Sequence, residues 1–237
     1  MKHIKKLIIW GVSLPLFASA NTPDNSLPLT SSHAADIIKS LYTEGVGYTI
    51  PAREAQLIRR VGGDPVYGEI TFSALQTLLD DLQLSKHDVF YDLGCGVGQT
   101  CIQVALVTPA KAVGIELSKT RLNLAKEATD KVKKIYGYDI CPNLEWRQED
   151  ISKTNLSGAT VIFLCSTCFS NELMQKLVNR FSTLPQSLKI ISLRQLAANN
   201  FFTLIKTYNL PMTWNNDTPV YVYQSKTATP LDKKVKP

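Results

Sequence analysis

From residue 33 onward the chain alternates between short, uniformly apolar runs and longer stretches whose apolar residues recur every third or fourth position. The runs at 89–91, 111–115, 159–164 and 189–193 are too short for buried helices and are bounded by turn residues, so they read as strands of a sheet covered on both faces. Residues 144–150 add a more polar strand that ends in carboxylates. Helical periodicity marks 34–41, 52–61, 71–82, 100–107, 119–136 and 171–181. In 71–82, Phe72, Leu75, Leu78, Leu79 and Leu82 share one face; in 119–136, Leu122, Ala125, Val132 and Ile135 point inward and Lys126, Lys131, Lys133 and Lys134 form a solvated face. Alternating strands and helices predict an α/β fold with a parallel sheet. The last runs, 201–208 and 220–223, read as an antiparallel pair, with Trp214 and a turn at Asn215-Asn216-Asp217 between them.

Chemistry concentrates where the run 89–91 stops. Asp92-Leu93-Gly94-Cys95-Gly96-Val97-Gly98-Gln99 sets a carboxylate before three glycines at every second position, and a helix follows. A strand, a glycine turn and a helix N-terminus place backbone N–H groups beside a ligand that must approach the main chain closely. A dinucleotide fingerprint has G-x-G-x-x-G, and its third glycine would fall on Gln99. The carboxylate opposes a diphosphate and suits a nucleoside with a cationic amino-acid end, such as S-adenosylmethionine. Glu116 closes the next strand, where it can accept hydrogen bonds from a ribose diol, and Asp150 can take the same part for an adenine amino group. The alternative is a glycine-rich turn without a ligand. A second loop, Tyr67-Gly68-Glu69, precedes a core helix and can fold over the site.

Residues 1–20 have the order of a secretory signal peptide: a basic start, an apolar run at 7–17 too short to span a bilayer, then Ala18-Ser19-Ala20. The formal charge of the whole chain is +6; without the three leader lysines it is 23 basic against 20 acidic residues, or +3, too mild to imply nucleic acid directly. Hydrophobic content of 44% with 19% charged residues describes an ordinary globular protein. The expected organisation is a signal peptide at 1–20, a linker at 21–32, an N-terminal helical lobe at 33–65, a catalytic domain at 66–225 and a basic tail at 226–237. Five cysteines (Cys95, Cys101, Cys141, Cys165 and Cys168) show no disulfide framework. Cys165-Ser166-Thr167-Cys168 has the C-x-x-C form of a metal or redox pair but no second pair, so strand-end structural thiols are expected, with a pocket-lining role and a redox or metal role as the alternatives, and no metal ligands are assigned.

These elements in this order resemble the seven-stranded, Rossmann-like class I S-adenosylmethionine-dependent methyltransferases. Over about residues 60–225, Val66-Tyr67-Gly68-Glu69, the Gln99-ended glycine motif, 161–169 and Trp214 with Pro219-Val220 resemble the disruptor-of-telomeric-silencing family, the histone-lysine methyltransferases without a SET domain. The resemblance implies S-adenosylmethionine as cofactor, with Tyr67, Gly68, Glu69, Asp92, Gly94, Gly96, Gly98, Gln99, Glu116, Asp150 and Ile151 around it. It puts Tyr67, Cys165, Ser166, Phe169, Trp214 and Tyr221 about the transfer point, Trp214 walling a lysine channel. The family has paired asparagines where this chain has Cys165-Ser166, threonine where it has Ile70, and adjacent tyrosines where Val222 precedes Tyr223 with Tyr221 nearby; these departures fall on the acceptor side. The implied partner is a protein lysine, of a host histone or nucleosome if the chain is delivered beyond the producing cell; no integral membrane partner is expected, and nucleic-acid contact is left open. Two other readings stand beside this one: methylation of a small molecule or non-histone protein, and a cofactor-binding module without turnover.

Overall fold

The computed structural model describes residues 28–137, 141–184 and 187–226. The elements run α1 (Ser31–Leu41), α2 (Ala52–Arg60), α3 (Phe72–Leu82), β1 (Val89–Leu93), α4 (Gln99–Val107), β2 (Lys111–Glu116), α5 (Lys119–Tyr136), β3 (Leu144–Gln148), β4 (Val161–Leu164), a 3₁₀ turn (Ser166–Cys168), α6 (Asn171–Phe181), β5 (Lys189–Ser192), β6 (Phe202–Met212) and β7 (Asn215–Ser225). The strands form one sheet in the order β3-β2-β1-β4-β5-β7-β6. The first five pair in parallel, and β7 and β6 close the sheet antiparallel. Strand order reverses between β1 and β4, where the carboxyl ends of a parallel sheet open a crevice for ligands.

The apolar strands are buried on both faces. Phe90, Ala112, Phe163 and Ile191 pack under α1, α3 and α4, and Phe90 stacks on Phe163 with centroids 6.3 Å apart. Their neighbours Leu93, Ile115, Ile162 and Ile190 pack under Leu173, Leu177 and Phe181 of α6. Truncating a fully buried residue such as Leu177 removes about 2–5 kcal/mol of stability.

Four expectations change. The linker expected to reach residue 32 already belongs to the fold at Leu29, which is buried and donates its N–H to the Leu106 carbonyl, while Thr30 caps α1. Ala34, Ile37, Ile38 and Leu41 then join the main core, so α1 is no separate lobe; α2, with only Ile58 buried, leans over the crevice instead. The closing hairpin is longer than the apolar runs: Met212 pairs with Asn215 across Thr213-Trp214, and Asn215-Asn216-Asp217 lie in β7 rather than in the turn. Most of β6 is exposed, so the alternation that marks a half-buried strand is missing from its sequence. Strand β3 ends at Gln148, short of the expected Asp150. The leader (1–20) and the tail from 227 lie outside the described residues, among which no helix is long and apolar enough to cross a membrane.

Candidate active site

Every backbone N–H of the glycine turn is engaged inside the protein. Gly94 and Cys95 donate to the Ile115 carbonyl (2.8 and 3.0 Å), Gly98 to the Cys95 carbonyl (2.9 Å), Gly96 to Glu116 Oε2 (3.0 Å) and Val97 to the Tyr67 hydroxyl (3.1 Å). A phosphate cradle works by offering such donors; this turn has none left over its five residues. The turn takes left-handed backbone at Gly94, Gly96 and Gly98 (φ +92°, +57° and +86°). At Gly96 a Cβ would lie 2.4 Å from the Tyr67 ring, so glycine is required there by contact as well as by φ.

Two carboxylates sit at the strand ends beneath the turn. Glu116 also accepts from Ser118 N (2.7 Å), and burial raises its pKa against these bonds and the Arg121 charge. Asp92, 2% exposed, is pushed up to about 8 by burial and then by facing Glu116, with Thr100 opposing. Two carboxyls crowded in the interior resist ionising together, and a cation close by would favour their charged forms.

The Tyr67-Gly68-Glu69 loop is held over the turn at both ends. The Tyr67 hydroxyl donates to Glu69 Oε1 (2.5 Å), and Gln99 Nε2 donates to Glu69 Oε2 (2.5 Å). Burial raises the Glu69 carboxyl while these two bonds lower it. On the far side Glu69 N donates to Thr213 Oγ1 (3.0 Å), Thr213 N to the Glu69 carbonyl (2.9 Å), and Ile70 bridges Met212, so the closing hairpin carries the loop. Gly68 passes under Trp214, where a Cβ would lie 2.3 Å from the indole.

A cavity of about 370 Å³ opens at the carboxyl ends of β1, β2 and β4, within the range that holds small ligands. Of the expected residues, Tyr67, Gly68, Gly94, Gly96, Glu116, Ile151, Cys165, Phe169 and Trp214 line it. Asp92, Gly98, Gln99 and Glu69 lie behind that wall, the last two bracing Tyr67. Asp150 is outside the lining: with β3 ending early, Oδ1 caps the following turn by accepting from Ser152 N (2.8 Å), and the wall is left to Ile151. Ser166 is buried away from the cavity, sharing a hydrogen bond with Ser192 Oγ (2.9 Å) and accepting from Arg194 N (3.2 Å). Tyr221 stands opposite Ser192 with the α6-side core, while the hairpin turn presents Trp214, 45% exposed, at the mouth. All five cysteines are free; Cys165 packs against the core at the end of β4 and also lines the cavity, and Cys168 lines it alongside.

Sequence reasoning missed four supports. Arg121 is buried, donates Nε to the Gly47 carbonyl (2.9 Å) and Nη2 to the Pro65 carbonyl (2.5 Å), and lies over the Tyr67 ring at 4.6 Å. Glu54 of α2 accepts from Ser118 Oγ (2.5 Å), Thr120 N (3.1 Å) and Thr120 Oγ1 (3.0 Å), supplying the negative charge that the first turn of α5 lacks. A cation in the first turn, against the helix dipole, was the available signal for Arg121. Trp146 underlies Gly98 and Gly114, and its Nε1 donates to Thr129 Oγ1 (3.1 Å). Tyr42 donates to the Val97 carbonyl (2.9 Å), tying α1 to the turn.

A turn whose five amides are engaged, carboxylates at both neighbouring strand ends and an aromatic lid fit a nucleoside bearing a sulfonium better than a diphosphate. Joined to this strand order, that site gives the chain the fold and the ligand crevice of the class I S-adenosylmethionine-dependent methyltransferases. Solved structures share the fold: magnesium protoporphyrin IX methyltransferase from Synechocystis PCC 6803 with bound SAM (TM-score 0.53, 15% identity, 82% of this chain and 93% of that one) and an RNA methyltransferase from Salinibacter ruber in complex with S-adenosyl-L-homocysteine (0.50, 23%, 67% and 94%). Residues 52–219 match the family described as "Histone methylation protein DOT1", and the chain belongs to that family. Relatives named "Histone-lysine N-methyltransferase, H3 lysine-79 specific" include those of Chaetomium globosum (32% identical over 149 residues, 59% of this chain and 29% of that protein) and Drosophila melanogaster (30% over 144, 57% and 8%). The chain thus spans less than a third of the length of these two relatives.

Proposed function

We propose that this chain transfers a methyl group from S-adenosylmethionine to the side-chain amine of a protein lysine, with histones the first substrates to test. Membership of the family and the names of its relatives support the reaction. The observation that carries it is one continuous cavity, with the glycine turn and Glu116 among its walls and Tyr67, Phe169 and Trp214 enclosing the acceptor path. The cofactor supplies an activated methyl group. The chain's residues align the acceptor with it, keep water out and lower the acceptor's charge. A free lysine, with a pKa of about 10.4, must lose a proton at a cost of about 4.6 kcal/mol at neutral pH. Aromatic walls disfavour the charged amine by desolvation while their faces attract it at the mouth. The carboxylates lining the cavity are Asp64, which accepts from Val66 N (2.9 Å), and Glu116, which accepts from the Gly96 and Ser118 amides, so desolvation rather than a dedicated base sets the acceptor's charge. Incubation with methyl-labelled cofactor and histone octamers, nucleosomes or whole-cell lysate tests this: a labelled protein band with label on lysine is expected, and no labelled protein from any of the three sources contradicts it.

One observation favours a second acceptor, a non-histone protein with acidic residues around its lysine. Arg53, Arg59 and Arg60 of α2 are exposed and without an ion pair among the described residues, because Glu54, the only acid of that helix, turns inward to cap α5. Since α2 also contributes Ile58 to the cavity wall, this cationic face borders the acceptor path. Lysine peptides with acidic or basic flanks separate the two readings: preference for acidic flanks that fades with salt favours the second. Export belongs to the proposal as well and is supported by the order of residues 1–20; a fusion to a reporter active only outside the cytoplasm tests it, and an inactive reporter sinks it.

A further inference from the structure

Cys165 and Cys168 face one space. Cys165 precedes and Cys168 ends the 3₁₀ turn Ser166–Cys168, after which Phe169 N donates to the Ser166 carbonyl (3.1 Å), and both cysteines line the cavity beside Gly68, Phe169 and Trp214. Ser166 between them points the other way, into the hydrogen bond with Ser192. A four-residue turn brings its end Cα atoms within about 7 Å, and a disulfide accepts about 4.4–6.8 Å. Side chains three apart in such a turn lie over one another. The three remaining cysteines, Cys95, Cys101 and Cys141, are buried in the core. The Cys165 thiol also has a structural duty: it donates to the Gly68 carbonyl (3.8 Å), tying the end of β4 to the loop that covers the glycine turn.

We propose that Cys165 and Cys168 form an oxidative modification site, which a peroxide converts into an intramolecular disulfide that releases the Tyr67-Gly68-Glu69 loop. The site stands on its own chemistry; its effect on turnover rests on the function proposed above. Burial pushes the Cys165 thiol up to about 12, so it stays protonated at neutral pH and the first attack falls to Cys168. The Cys168 sulfur attacks one peroxide oxygen, the O–O bond breaks, and the thiol proton leaves with the other oxygen as water or an alcohol, giving a sulfenic acid. Cys165 then attacks that sulfur: the S–S bond forms, the S–O bond breaks, and the thiol proton departs with the hydroxyl as water. Two electrons pass from the two sulfurs to the peroxide, and an external dithiol reverses the sequence. Oxidation consumes the S–H that Gly68 accepts from, which leaves the loop held on that side by its hairpin bonds alone.

The purified full chain, treated with hydrogen peroxide, alkylated and digested with trypsin, reports directly, because the peptide spanning residues 154–176 contains these two cysteines and no other. That peptide is expected about 2 Da lighter and unalkylated, returning to the dialkylated form after dithiothreitol. Hydrogen exchange at the Glu69 amide should quicken by about 10-fold on oxidation, and Cys168→Ser should show neither change. Methyl transfer, once an acceptor is in hand, should fall at least about 10-fold on oxidation, recover with dithiol, and be insensitive to peroxide in Cys168→Ser. A peptide that remains dialkylated while a core cysteine reacts, or a disulfide that leaves Glu69 exchange unchanged, overturns the proposal. A disulfide with quickened exchange in a protein that methylates nothing upholds the site and contradicts only the reading of its activity.

Discussion

Substituting Asp92→Asn removes a carboxyl that the native state holds protonated far above its ordinary range. With that group pushed up to about 8 by burial and by Glu116, and ionising at about 3.9 in the unfolded chain, the folded protein carries an extra proton across that window. Stability therefore falls as pH rises through it, by up to about 1.4 kcal/mol per pH unit, and the fall ends once the native carboxyl ionises. Between about pH 5.5 and 8.5 the difference comes to about 3 kcal/mol, a large share of the roughly 5–15 kcal/mol that holds a domain folded. Urea unfolding of wild type and Asp92→Asn across this range reads it, with the difference between the two proteins isolating one group from the other carboxylates. Wild type should lose about 3 kcal/mol relative to the variant from the acid to the alkaline end, and S-adenosylmethionine should stabilise wild type most at the alkaline end. Parallel profiles, or a gap that moves the other way, would refute the placing of a buried, proton-holding carboxyl beneath the turn.

Gly114→Ala places a Cβ 2.4 Å from Trp146 and 2.8 Å from the Cys95 sulfur, and should lower stability by about 1–3 kcal/mol in thermal unfolding, partly restored by adding Trp146→Ala; an unchanged midpoint counts against this packing. Arg121→Ala removes charge-assisted bonds to the Gly47 and Pro65 carbonyls, each worth about 1.5–3 kcal/mol, and should speed hydrogen exchange at Val46, Tyr48 and Val97; exchange at the wild-type rate would deny Arg121 its bracing part. Trp214→Ala should raise KM for a lysine acceptor by about 5- to 30-fold while leaving cofactor affinity within about 2-fold; the reverse split would move Trp214 to the cofactor side.

Much of this arrangement could be read in the chain because its parallel strands are buried on both faces. Continuous apolar runs located β1, β2, β4 and β5 and, with the glycine motif between them, the crevice. The closing hairpin was harder: β6 and the start of β7 are largely exposed, so polar residues such as Asn215 and Asp217 looked like a turn while the ladder continued through them. Ser166 and Asp150 stood at the right distance along the chain, but Ser166 is drawn into a buried bond with Ser192, and the early end of β3 leaves Asp150 Oδ1 capping a turn beside the cavity wall. Arg121 and Glu54 act across some 50–75 residues, on Gly47, Pro65 and the start of α5, a separation that local periodicity does not register. Gly114 shows a further kind of signal. A glycine inside a strand signals close approach of another group, and Trp146 is that group.

Titration calorimetry of the full chain with S-adenosylmethionine, S-adenosylhomocysteine, NAD and ATP bears most directly on the account, since it asks the glycine turn which ligand it accepts. Both adenosyl compounds should bind one per chain, Glu116→Ala should weaken them by at least about 10-fold, and the two phosphate-bearing compounds should give no heat, the amides of the turn itself being already engaged. Heat from NAD or ATP at this site, or adenosyl binding indifferent to Glu116, would contradict it.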